Sequence, residues 1–558
     1  MLVLLDGVVR QAFAAPRQVI RADRGDEVPA ALAAAEAALA QGRYVAGWLS
    51  YELGYVLEPR LTGLEPGSAP LLRLGIFDGP GDVPAVAGRA YAGPLTPEWN
   101  ATEYGTRFKA VKDYIAAGDI YQANLSFRAR FPFLGEPRAL YEQLLAASGA
   151  GHCGYVDDGE RQILSLSPEL FFDLSRDGLL TVRPMKGTAP REGDDTAERE
   201  ALAASAKNRA ENLMIVDLIR NDLSRIAEKG SVQVSDLFKV ETYPTLHTMV
   251  STVTARKRAD IGLADILRAL FPCGSVTGAP KIRAMEILRQ LESSPRGAYC
   301  GAVGFFAPDG SAHFNVAIRT LTICGGQGEM GIGGGVVQDS RPDSEYAECL
   351  LKARFFEAAR KPLELIETLR WDNGFVRLDG HMKRMESSAR SLGLLYDSCT
   401  ARIALQQAIT GRTGPLRVRL TLDEQGTHHA TAHELNGNPQ HWTYAVSPHP
   451  ADSRDALLRH KTNWRELYES EVQRLGTDEV IFCNQRGELT EGARSNIFIR
   501  RGDILLTPPL SAGVLDGRLR AELIEQGKAQ EAVLTPADLD GEVWFGNSLR
   551  GLIPAKRV

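Results

Sequence analysis

A change of pattern near residue 361 is the feature that most limits how this chain can fold. The stretch SRPDSEYAECLLKARFFEAARKP (340–362) predicts a helix that ends before Pro362, because a residue that precedes proline disfavours the helical conformation. LELIETLRW (363–371) then predicts a strand with no linker between. The 558 residues also exceed the ~100–200 of one typical domain. We therefore predict two domains, 1–361 and 362–558, each long enough to bury its own core.

Composition excludes several classes of protein. The net charge of −6 offers no basic surface for nucleic acid. No segment approaches the ~18–20 consecutive apolar residues that a membrane helix needs. The N-terminus, MLVLLDGVVR, lacks the basic start and the cleavage site of a signal peptide. The seven cysteines are scattered without a CxxC pair, so we expect neither a disulfide framework nor a zinc site, and we expect the cytoplasm as the compartment.

Local patterns predict several elements of the first part. NATEYGTRFKAVKDYIAAGD (100–119) predicts a helix that Asn100 caps, with Glu103 completing a capping box. A loop rich in Gly and Pro is expected at about 62–95. IYQANLSFRARF (120–131) alternates as a strand, and Gln122, Asn124, Ser126 and Arg128 form its polar face. Such a face is unusual unless it is wet, so it could line a site.

Gly-rich and charged segments mark the candidate chemistry. They are GDIYQANLSF, SPELFF, RPMKGTAPR, ENLMIVDLIRNDLSRI, GSVTGAPKIRAMEIL and GIGGGVVQDSRPDSEYAECLLK. Glu345, Glu348 and Lys352 share one helix face by their spacing. With Glu211 from another helix, these carboxylates could bind Mg²⁺, which prefers oxygen ligands. Ion pairing on a helix surface is the alternative reading of the same pattern.

Together these segments, with GWLSYELGY (47–55), resemble the chorismate-utilising enzymes, which include the anthranilate, aminodeoxychorismate, isochorismate and salicylate synthases. The resemblance runs from residue 47 to Lys352 in the order of that family. It implies an α+β fold of two large antiparallel sheets with helices packed outside them. It also implies that relatives bind tryptophan near GWLSYELGY, which this sequence leaves open.

Lys186 separates the branches of this family. Anthranilate synthases typically have alanine at this position, and aminodeoxychorismate synthases have lysine. The resemblance implies that the Lys186 amine adds to C2 of chorismate as the 4-hydroxyl leaves, and that ammonia then attacks C4. The amine must be neutral to attack, so its pKa must be lowered. Glu169 would be the general acid, and the SRDG turn (175–178) predicts that it lies near Lys186 across two adjacent strands.

The remaining residues of the first site also follow from the resemblance. Glu211 and Glu348 are implied as Mg²⁺ ligands. Substrate contacts are implied for Gln122, Gly187, Thr188, His247, Tyr299, Arg319, Gly333 and Lys352. Gln122 replaces the lysine that activates water in isochorismate synthases, which argues against water as the nucleophile. His247 has a structural role as its alternative, and Lys281 is either an anion contact or a surface lysine.

Ammonia requires a source. We find no G-x-C-x-G nucleophile elbow, so no glutaminase is fused within this sequence. We expect a separate glutamine amidotransferase subunit as partner, with free ammonia as the alternative.

The second part resembles the class IV aminotransferase fold, an α+β fold that binds pyridoxal 5′-phosphate (PLP). The segments that carry this resemblance are HMKRM, HKTNWRELYE, GELTEGARSNIFI, LLTPPLSAGVLDGRLR and VWFGNSLRG. Lys461 matches the lysine that binds PLP, and Glu491 the carboxylate that keeps the pyridine nitrogen protonated. The phosphate is expected at Arg384 and at the backbone amides near Gly517, Leu519, Ser548 and Leu549.

The two resemblances predict consecutive reactions. The first domain would make aminodeoxychorismate from chorismate, and the second would eliminate pyruvate to give 4-aminobenzoate for folate. Three alternatives stay open: an anthranilate synthase with a PLP domain, a synthase fused to an amino-acid aminotransferase, and a non-catalytic regulator that binds chorismate or tryptophan.

Overall fold

The computed structural model of the chain describes residues 1–7, 10–64, 67, 70–191, 193–242 and 246–558. Within these residues the chain divides into two compact units. The first unit holds Met1–Ala85, Leu95–Phe131 and Tyr141–Ala359. The second holds Arg360–Val558 together with two early segments, Val86–Pro94 and Pro132–Leu140. The functional division into 1–361 and 362–558 stays a prediction.

The strands up to residue 359 are β1 (Leu2–Asp6), β2 (Gln11–Ala14), β3 (Gln18–Ala22), β4 (Tyr44–Leu49), β5 (Leu72–Phe77), β6 (Ala90–Ala92), β7 (Thr96–Pro97), β8 (Gln122–Gly135), β9 (His152–Asp157), β10 (Gln162–Ser167), β11 (Leu170–Leu174), β12 (Leu179–Arg183), β13 (Met185–Pro190), β14 (Gln233–Thr242), β15 (Leu246–Arg256), β16 (Gly278–Ala279), β17 (Ala302–Phe306), β18 (Ala312–Val316), β19 (Thr320–Cys324) and β20 (Gln327–Val336). The helices are α1 (Val28–Ala40), α2 (Leu53–Leu57), α3 (Ala101–Ala116), α4 (Pro137–Ser148), α5 (Asp195–Ala204), α6 (Ala206–Ser224), α7 (Leu263–Leu270), α8 (Lys281–Leu291) and α9 (Pro342–Ala359).

Two large antiparallel sheets form the first unit, as the sequence predicted. One has the strand order β16-β8-β20-β19-β10-β9-β1-β2, and the other has the order β13-β15-β12-β11-β18-β17-β4-β5-β3. Val3, Trp48 and Val303 belong to one core that joins the two sheets. Helices α1, α6 and α7 cover the second sheet through a separate core that includes Leu32, Ile215 and Leu267. The site described below therefore rests on two packed layers.

The predicted cap of α3 is confirmed. The Asn100 side chain accepts from the Thr102 and Glu103 amides, and the Glu103 carboxylate accepts from the Asn100 amide. The expected loop at about 62–95 is wrong in part, because it contains β5 and β6. LLRLGIF (71–77) is buried throughout and apolar except for Arg73, so burial outweighs the Gly and Pro that flank it. Glu65, Pro66, Ser68 and Ala69 of this stretch lie outside the described residues.

The polar face of β8 is buried, not wet. Gln122, Asn124, Ser126 and Arg128 are each at most 7% exposed. Ser126 donates from its hydroxyl to Glu292 at 2.9 Å, and Arg128 pairs with Glu329 at 2.8 Å. The face is polar because the carboxylates of Glu292 and Glu329 bind its side chains. The expectation that it lines a site holds for Asn124.

The second unit adds strands β21 (Leu365–Trp371), β22 (Leu416–Leu422), β23 (His428–Glu434), β24 (Trp442–Val446), β25 (Glu479–Cys483), β26 (Leu489–Gly492), β27 (Asn496–Arg501), β28 (Ile504–Thr507), β29 (Ala529–Glu531), β30 (Glu542–Asn547) and β31 (Gly551–Arg557), and helices α10 (Leu378–Leu392), α11 (Ser398–Ile409), α12 (Glu466–Leu475) and α13 (Arg518–Glu525). Strands β21, β22 and β23 form a small antiparallel sheet in that order. The others form a mixed sheet of order β26-β25-β24-β31-β30-β27-β28-β29.

One core of this unit packs α10 and α11 on the small sheet, and it includes Met385, Leu405 and Val418. Tyr91 of β6 belongs to the same core and is fully buried. Between β21 and α10, among the described residues, only an isolated bridge joins Trp371 and Phe375. None of the helices in the described ranges is long and apolar enough to cross a membrane.

Candidate active sites

A cavity of about 220 Å³ lies in the first unit. Strand β13, strand β20 and the helices α6 and α9 supply most of its wall. Ten of the residues predicted for the first site line it: Glu169, Lys186, Gly187, Thr188, Glu211, Tyr299, Arg319, Gly333, Glu348 and Lys352. Folding therefore brings together residues from motifs that are far apart in the sequence.

A bulge in β13 aims Lys186 into this cavity. The register of β13 against β15 shifts between Met185 and Thr188, and such a shift turns side chains away from the regular alternation. Gly187 has a φ of +90°, and a Cβ there would lie 2.9 Å from the Cβ of Asn208. Only glycine fits both the conformation and the space at this position.

The Lys186 amine is enclosed and surrounded by charge. Burial lowers its pKa, and the Lys352 ammonium lowers it further. The carboxylates of Glu169, Glu211 and Glu348 oppose this shift, but the net direction is downward. The amine is therefore more readily neutral than that of a surface lysine.

Glu169 is the matching acid. It is 3% exposed, and its Oε1 atom has no hydrogen-bond partner among the described residues. Burial raises the pKa of Glu169 to about 7, against a hydrogen bond from Ser275 and the charge of Lys186. Strands β11 and β12 pair around the SRDG turn as predicted, but Lys186 itself lies on β13, which pairs with β15. A carboxyl that titrates near neutrality can hold a proton for a leaving group.

Three carboxylates face the same cavity from two helices. Glu211 comes from α6, and Glu345 and Glu348 come from α9. Burial raises the pKa of Glu211, and the two other carboxylates raise it further. Burial also raises the pKa of Glu348, but Lys352 at 2.9 Å outweighs it, and the net pKa is lowered. These three carboxylates thus share the cavity with Lys186, Lys207 and Lys352.

Two predicted contacts do not line the cavity. Gln122 is buried behind Gly335, where an added Cβ would lie 2.5 Å from Gln122 Nε2 and 3.6 Å from Lys186 Nζ. His247 is fully buried, and its Nδ1 lies 3.0 Å from Thr242 Oγ1. The His247 Nε2 instead faces Asp195 at 3.5 Å and Glu198 at 3.7 Å.

Asp195, Glu198 and His247 are also the cluster whose ligand atoms lie within 4.8 Å of one another, among the described residues. Arg191 already pairs with Asp195 at 2.7 Å. The structural alternative for His247 therefore fits these contacts better than a substrate contact. Lys281 also has neither expected role, because it forms a buried pair with Asp222 at 2.5 Å.

Sequence reasoning missed other residues of the cavity wall: Lys207, Asn208, Ser275 and Gly335. Lys207 and Asn208 precede Glu211 by about one helical turn, so helical spacing could have found them. Ser275 gives no such signal, because the contact between its hydroxyl and Glu169 joins distant segments.

The second unit holds Lys461 in a buried position. Its Nζ donates to Thr368 Oγ1 at 3.0 Å. Burial lowers the pKa of Lys461 to about 7; Glu367 opposes this shift, and the arginines 384, 465 and 419 add to it. Lys461 is thus largely unprotonated just above neutral pH, as a nucleophilic amine requires.

Glu491 lies in the second unit and accepts hydrogen bonds at both carboxylate oxygens, with the Tyr468 hydroxyl 3.4 Å from Oε1. It is 8% exposed, and its Oε2 accepts from the Leu515 amide at 3.0 Å and from Asn496 at 3.3 Å. Burial raises the pKa of Glu491 to about 7. Such a carboxyl is suited to share a proton with a buried aromatic nitrogen.

Arg384 is held by a buried carboxylate that the sequence did not reveal. Glu367 accepts from its Nε at 2.8 Å and from its Nη2 at 2.6 Å, and the Asp516 carbonyl accepts from its Nη1 at 2.8 Å. Two of the five N–H groups of the guanidinium stay available. His381 bridges Glu367 and Ser548 at 2.6 and 2.8 Å.

The predicted amides near the end of the chain are only partly available. Gly517 is the N-cap of α13, and Leu519 lies in its first turn with a buried side chain. The first amides of a helix have no partner within it and attract anions. The Leu549 amide, by contrast, donates to Asn547 Oδ1 at 3.1 Å, so the expected anion contact there is wrong.

Residues 80–358, half of the 558, match the model of the chorismate binding enzyme family. The chain belongs to the chorismate binding enzymes. Residues 364–558 of this chorismate binding enzyme match the model of amino-transferase class IV.

Curated relatives of the first part include an aminodeoxychorismate synthase component 1 of Klebsiella aerogenes, 46% identical over 261 residues that make up 46% of this chain and 58% of the relative. This chorismate binding enzyme thus spans under three fifths of that relative. The solved anthranilate synthase component I from Streptococcus pneumoniae TIGR4 shares the fold at 24% identity and a TM-score of 0.57, over 64% of this chain and 92% of that one.

A solved chain from Mesorhizobium loti, a supposed amino-acid aminotransferase, is 40% identical to the second part, with a TM-score of 0.34. The match covers 35% of this chain and 100% of that chain.

Proposed function

We propose that the chain makes 4-aminobenzoate from chorismate and ammonia in two steps. The first unit would replace the 4-hydroxyl of chorismate by an amine to give 4-amino-4-deoxychorismate. The second unit would then release pyruvate from that product. The observation that carries the first step is the presence of Lys186 and Glu169 in one enclosed cavity.

Lys186 would be the nucleophile. Its neutral amine forms a bond to C2 of chorismate, the two conjugated ring double bonds shift towards C4, and the C4–O bond breaks. Glu169 gives its proton to the departing oxygen, which leaves as water. Ammonia then forms a bond to C4 as the two double bonds return and the C2–N bond to Lys186 breaks. The new ammonium group returns a proton to Glu169, so both residues are restored.

Mg²⁺ would be held by Glu211 and Glu348, with Glu345 beside them. The donor set fits, because carboxylate oxygens are the protein ligands that Mg²⁺ prefers. Burial first and then the neighbouring carboxylates raise the pKa values of Glu211 and Glu345, and a bound cation would lower the cost of ionising them. The ion when bound neutralises a substrate carboxylate. Arg319 and Lys352 are the cavity cations placed to assist it.

Ammonia would come from a separate glutamine amidotransferase subunit. Two observations support this: the Klebsiella aerogenes relative is named component 1, and the sequence contains no glutaminase nucleophile elbow. The cytoplasm is the proposed compartment, because the seven cysteines are free thiols.

PLP would be held in the second unit. The residues present fit the cofactor, because the Lys461 amine has a lowered pKa, the Glu491 carboxyl a raised one, and Arg384 keeps two N–H groups available. Arg384 and the first amides of α13 would bind the phosphate, and Glu491 would face the ring nitrogen. When bound, PLP withdraws electrons from the substrate carbon that loses a proton. Lys461 would attach the cofactor and move that proton.

His381 limits how Ser548 can contribute. Burial lowers the pKa of His381, so its ring is neutral at pH 7. The ionised Glu367 fixes the ring hydrogen at Nδ1, which leaves Nε2 to accept the Ser548 hydroxyl hydrogen. A phosphate would therefore meet Ser548 through its backbone N–H.

The test uses the full chain, Lys186→Ala and the surface control Lys109→Ala, each with chorismate, Mg²⁺, PLP and ammonium, and with products separated by chromatography. We expect 4-aminobenzoate and pyruvate from the wild type and the control, and neither from Lys186→Ala. Anthranilate from the wild type would overturn the first step. If 4-amino-4-deoxychorismate accumulated and the protein transferred amino groups between amino acids, the second unit would be an aminotransferase and not a lyase.

A further inference from the structure

The small sheet of the second unit has one open, basic face. Leu416, Val418 and Leu420 of β22 point into the core beneath α10 and α11. The alternate residues Arg417 and Arg419 are exposed on the opposite face. The register places His433 beside Arg417 and Thr431 beside Arg419 on β23. This face thus carries positive charge although the whole chain is acidic.

Arg419 is the part of this face that lies next to Lys461. Its Cα partner on β21 is Thr368, and cross-strand partners project from the same face of a sheet. Thr368 Oγ1 accepts the hydrogen bond from Lys461 Nζ at 3.0 Å. The Lys461 carbonyl also accepts from the Ile366 amide of the same strand. The Arg419 guanidinium is accordingly one of the charges that act on the Lys461 amine.

The other arginines that act on Lys461 are already engaged. Arg384 is bound by Glu367 and the Asp516 carbonyl. Arg465 donates to the Ala493 carbonyl and lies 5.0 Å over the Tyr468 ring. Arg419 has no hydrogen bond or ion pair to any residue that the structure describes, and it is exposed. Its guanidinium is therefore available to an anion that enters beside the Lys461 amine.

We propose that Arg419 binds a carboxylate of the substrate of the second unit. This inference deepens the proposed lyase function and rests on it for the identity of the substrate. 4-Amino-4-deoxychorismate carries two carboxylates, one on the ring and one on the enolpyruvyl group, and its amine must reach the position beside Lys461. A guanidinium can take one of these carboxylates in a bidentate pair. The site would thus select amines that carry distant carboxylates over apolar amino acids.

The experiment uses the full-length protein loaded with PLP and supplied directly with 4-amino-4-deoxychorismate. Arg419→Gln is compared with Arg417→Gln. Arg417 lies on the same face of β22 but pairs with Arg370, not with the Thr368 that binds Lys461, so this variant removes the same charge farther from the amine. We expect Arg419→Gln to raise KM by about ten- to hundredfold, as for a lost charged hydrogen bond, with kcat within about threefold. Arg417→Gln should change KM by less than about threefold. An unchanged KM in Arg419→Gln would overturn the proposal.

A second readout does not depend on turnover. The visible absorption of bound PLP is recorded while the inert dicarboxylate 3-(carboxymethoxy)benzoate, or the monocarboxylate 3-methoxybenzoate, is added. We expect wild type and Arg417→Gln to bind the dicarboxylate at least about tenfold more tightly, and Arg419→Gln to lose this preference. A wild type without the preference, or an Arg419→Gln that keeps it, would refute the carboxylate site. A wild type that has the preference but releases no pyruvate would refute the lyase function alone.

Discussion

Glu367 accepts hydrogen bonds from both Nε and Nη2 of Arg384, at 2.8 and 2.6 Å. Glu367 is 1% exposed, so the pair is shielded from water. Breaking a buried pair from one side leaves an uncompensated charge. We expect Glu367→Gln to lower the free energy of unfolding by about 3–5 kcal/mol and to weaken PLP binding. Urea denaturation and PLP titration measure the two effects.

The control for this pair is Asp379→Asn, in α10 like Arg384. Asp379 pairs with Arg402 at the surface, with 82% of its side chain exposed. Surface pairs contribute little, so both quantities should stay near their wild-type values. Equal losses in both variants would show that Glu367 has no special part in holding Arg384.

The pH dependence of amination should report Glu169. Its pKa is raised to about 7 by burial, and the protonated form is the proposed acid. The fraction that can donate a proton therefore falls as pH rises through about 7. We expect kcat for aminodeoxychorismate formation to fall above that pH when the concentration of NH₃, not of total ammonium, is held constant. Glu169→Gln should lower kcat by at least about a hundredfold and abolish this pH dependence. A flat wild-type profile between pH 6 and 9 would contradict the assignment.

Attachment of PLP should follow the titration of Lys461. Burial lowers the pKa of this amine to about 7, so it is protonated and unreactive below that pH and neutral above it. We expect the rate of cofactor attachment, measured by absorbance after mixing apoprotein with PLP, to be half-maximal near pH 7. Arg419→Gln removes a cation that lowers this pKa, so its midpoint should move upward. A midpoint near the ordinary lysine value of ~10.4 would disprove the shift.

The variant Gly517→Ala tests the close packing of Gly517 against the Asn496 side chain at the start of α13. A Cβ there would lie 1.8 Å from Asn496 Oδ1, so Gly517→Ala must displace a side chain that also binds Glu491. We expect a loss of about 1–3 kcal/mol in the free energy of unfolding and weaker retention of PLP. Gly437→Ala is the matched control, because nothing lies within 4 Å of its added Cβ. A Gly517→Ala protein as stable as this control would show that the turn relaxes without cost.

Short-range patterns in the sequence were sufficient for the cap of α3 and the break before Pro362. Motifs that resemble a family located most of the first cavity wall. They did not reveal which way Gln122 and His247 point, because strand register and the neighbouring helix α5 decide that orientation. They also missed Glu367 and Ser275, whose roles depend on contacts with residues distant in sequence. Such contacts leave no periodic trace along the chain.

Tyr91 lies in a core that is otherwise built from residues 363–464. A polypeptide that started at the predicted junction, residue 362, would therefore lack the Tyr91 side chain and leave a cavity in this core. The coding regions of the two proposed activities are adjacent, but a cut at residue 361 would not separate two intact domains. If evolution separated the two activities, new apolar residues would have to replace Tyr91 in this core. During translation, Tyr91 is synthesised long before the residues 363–464 against which it packs.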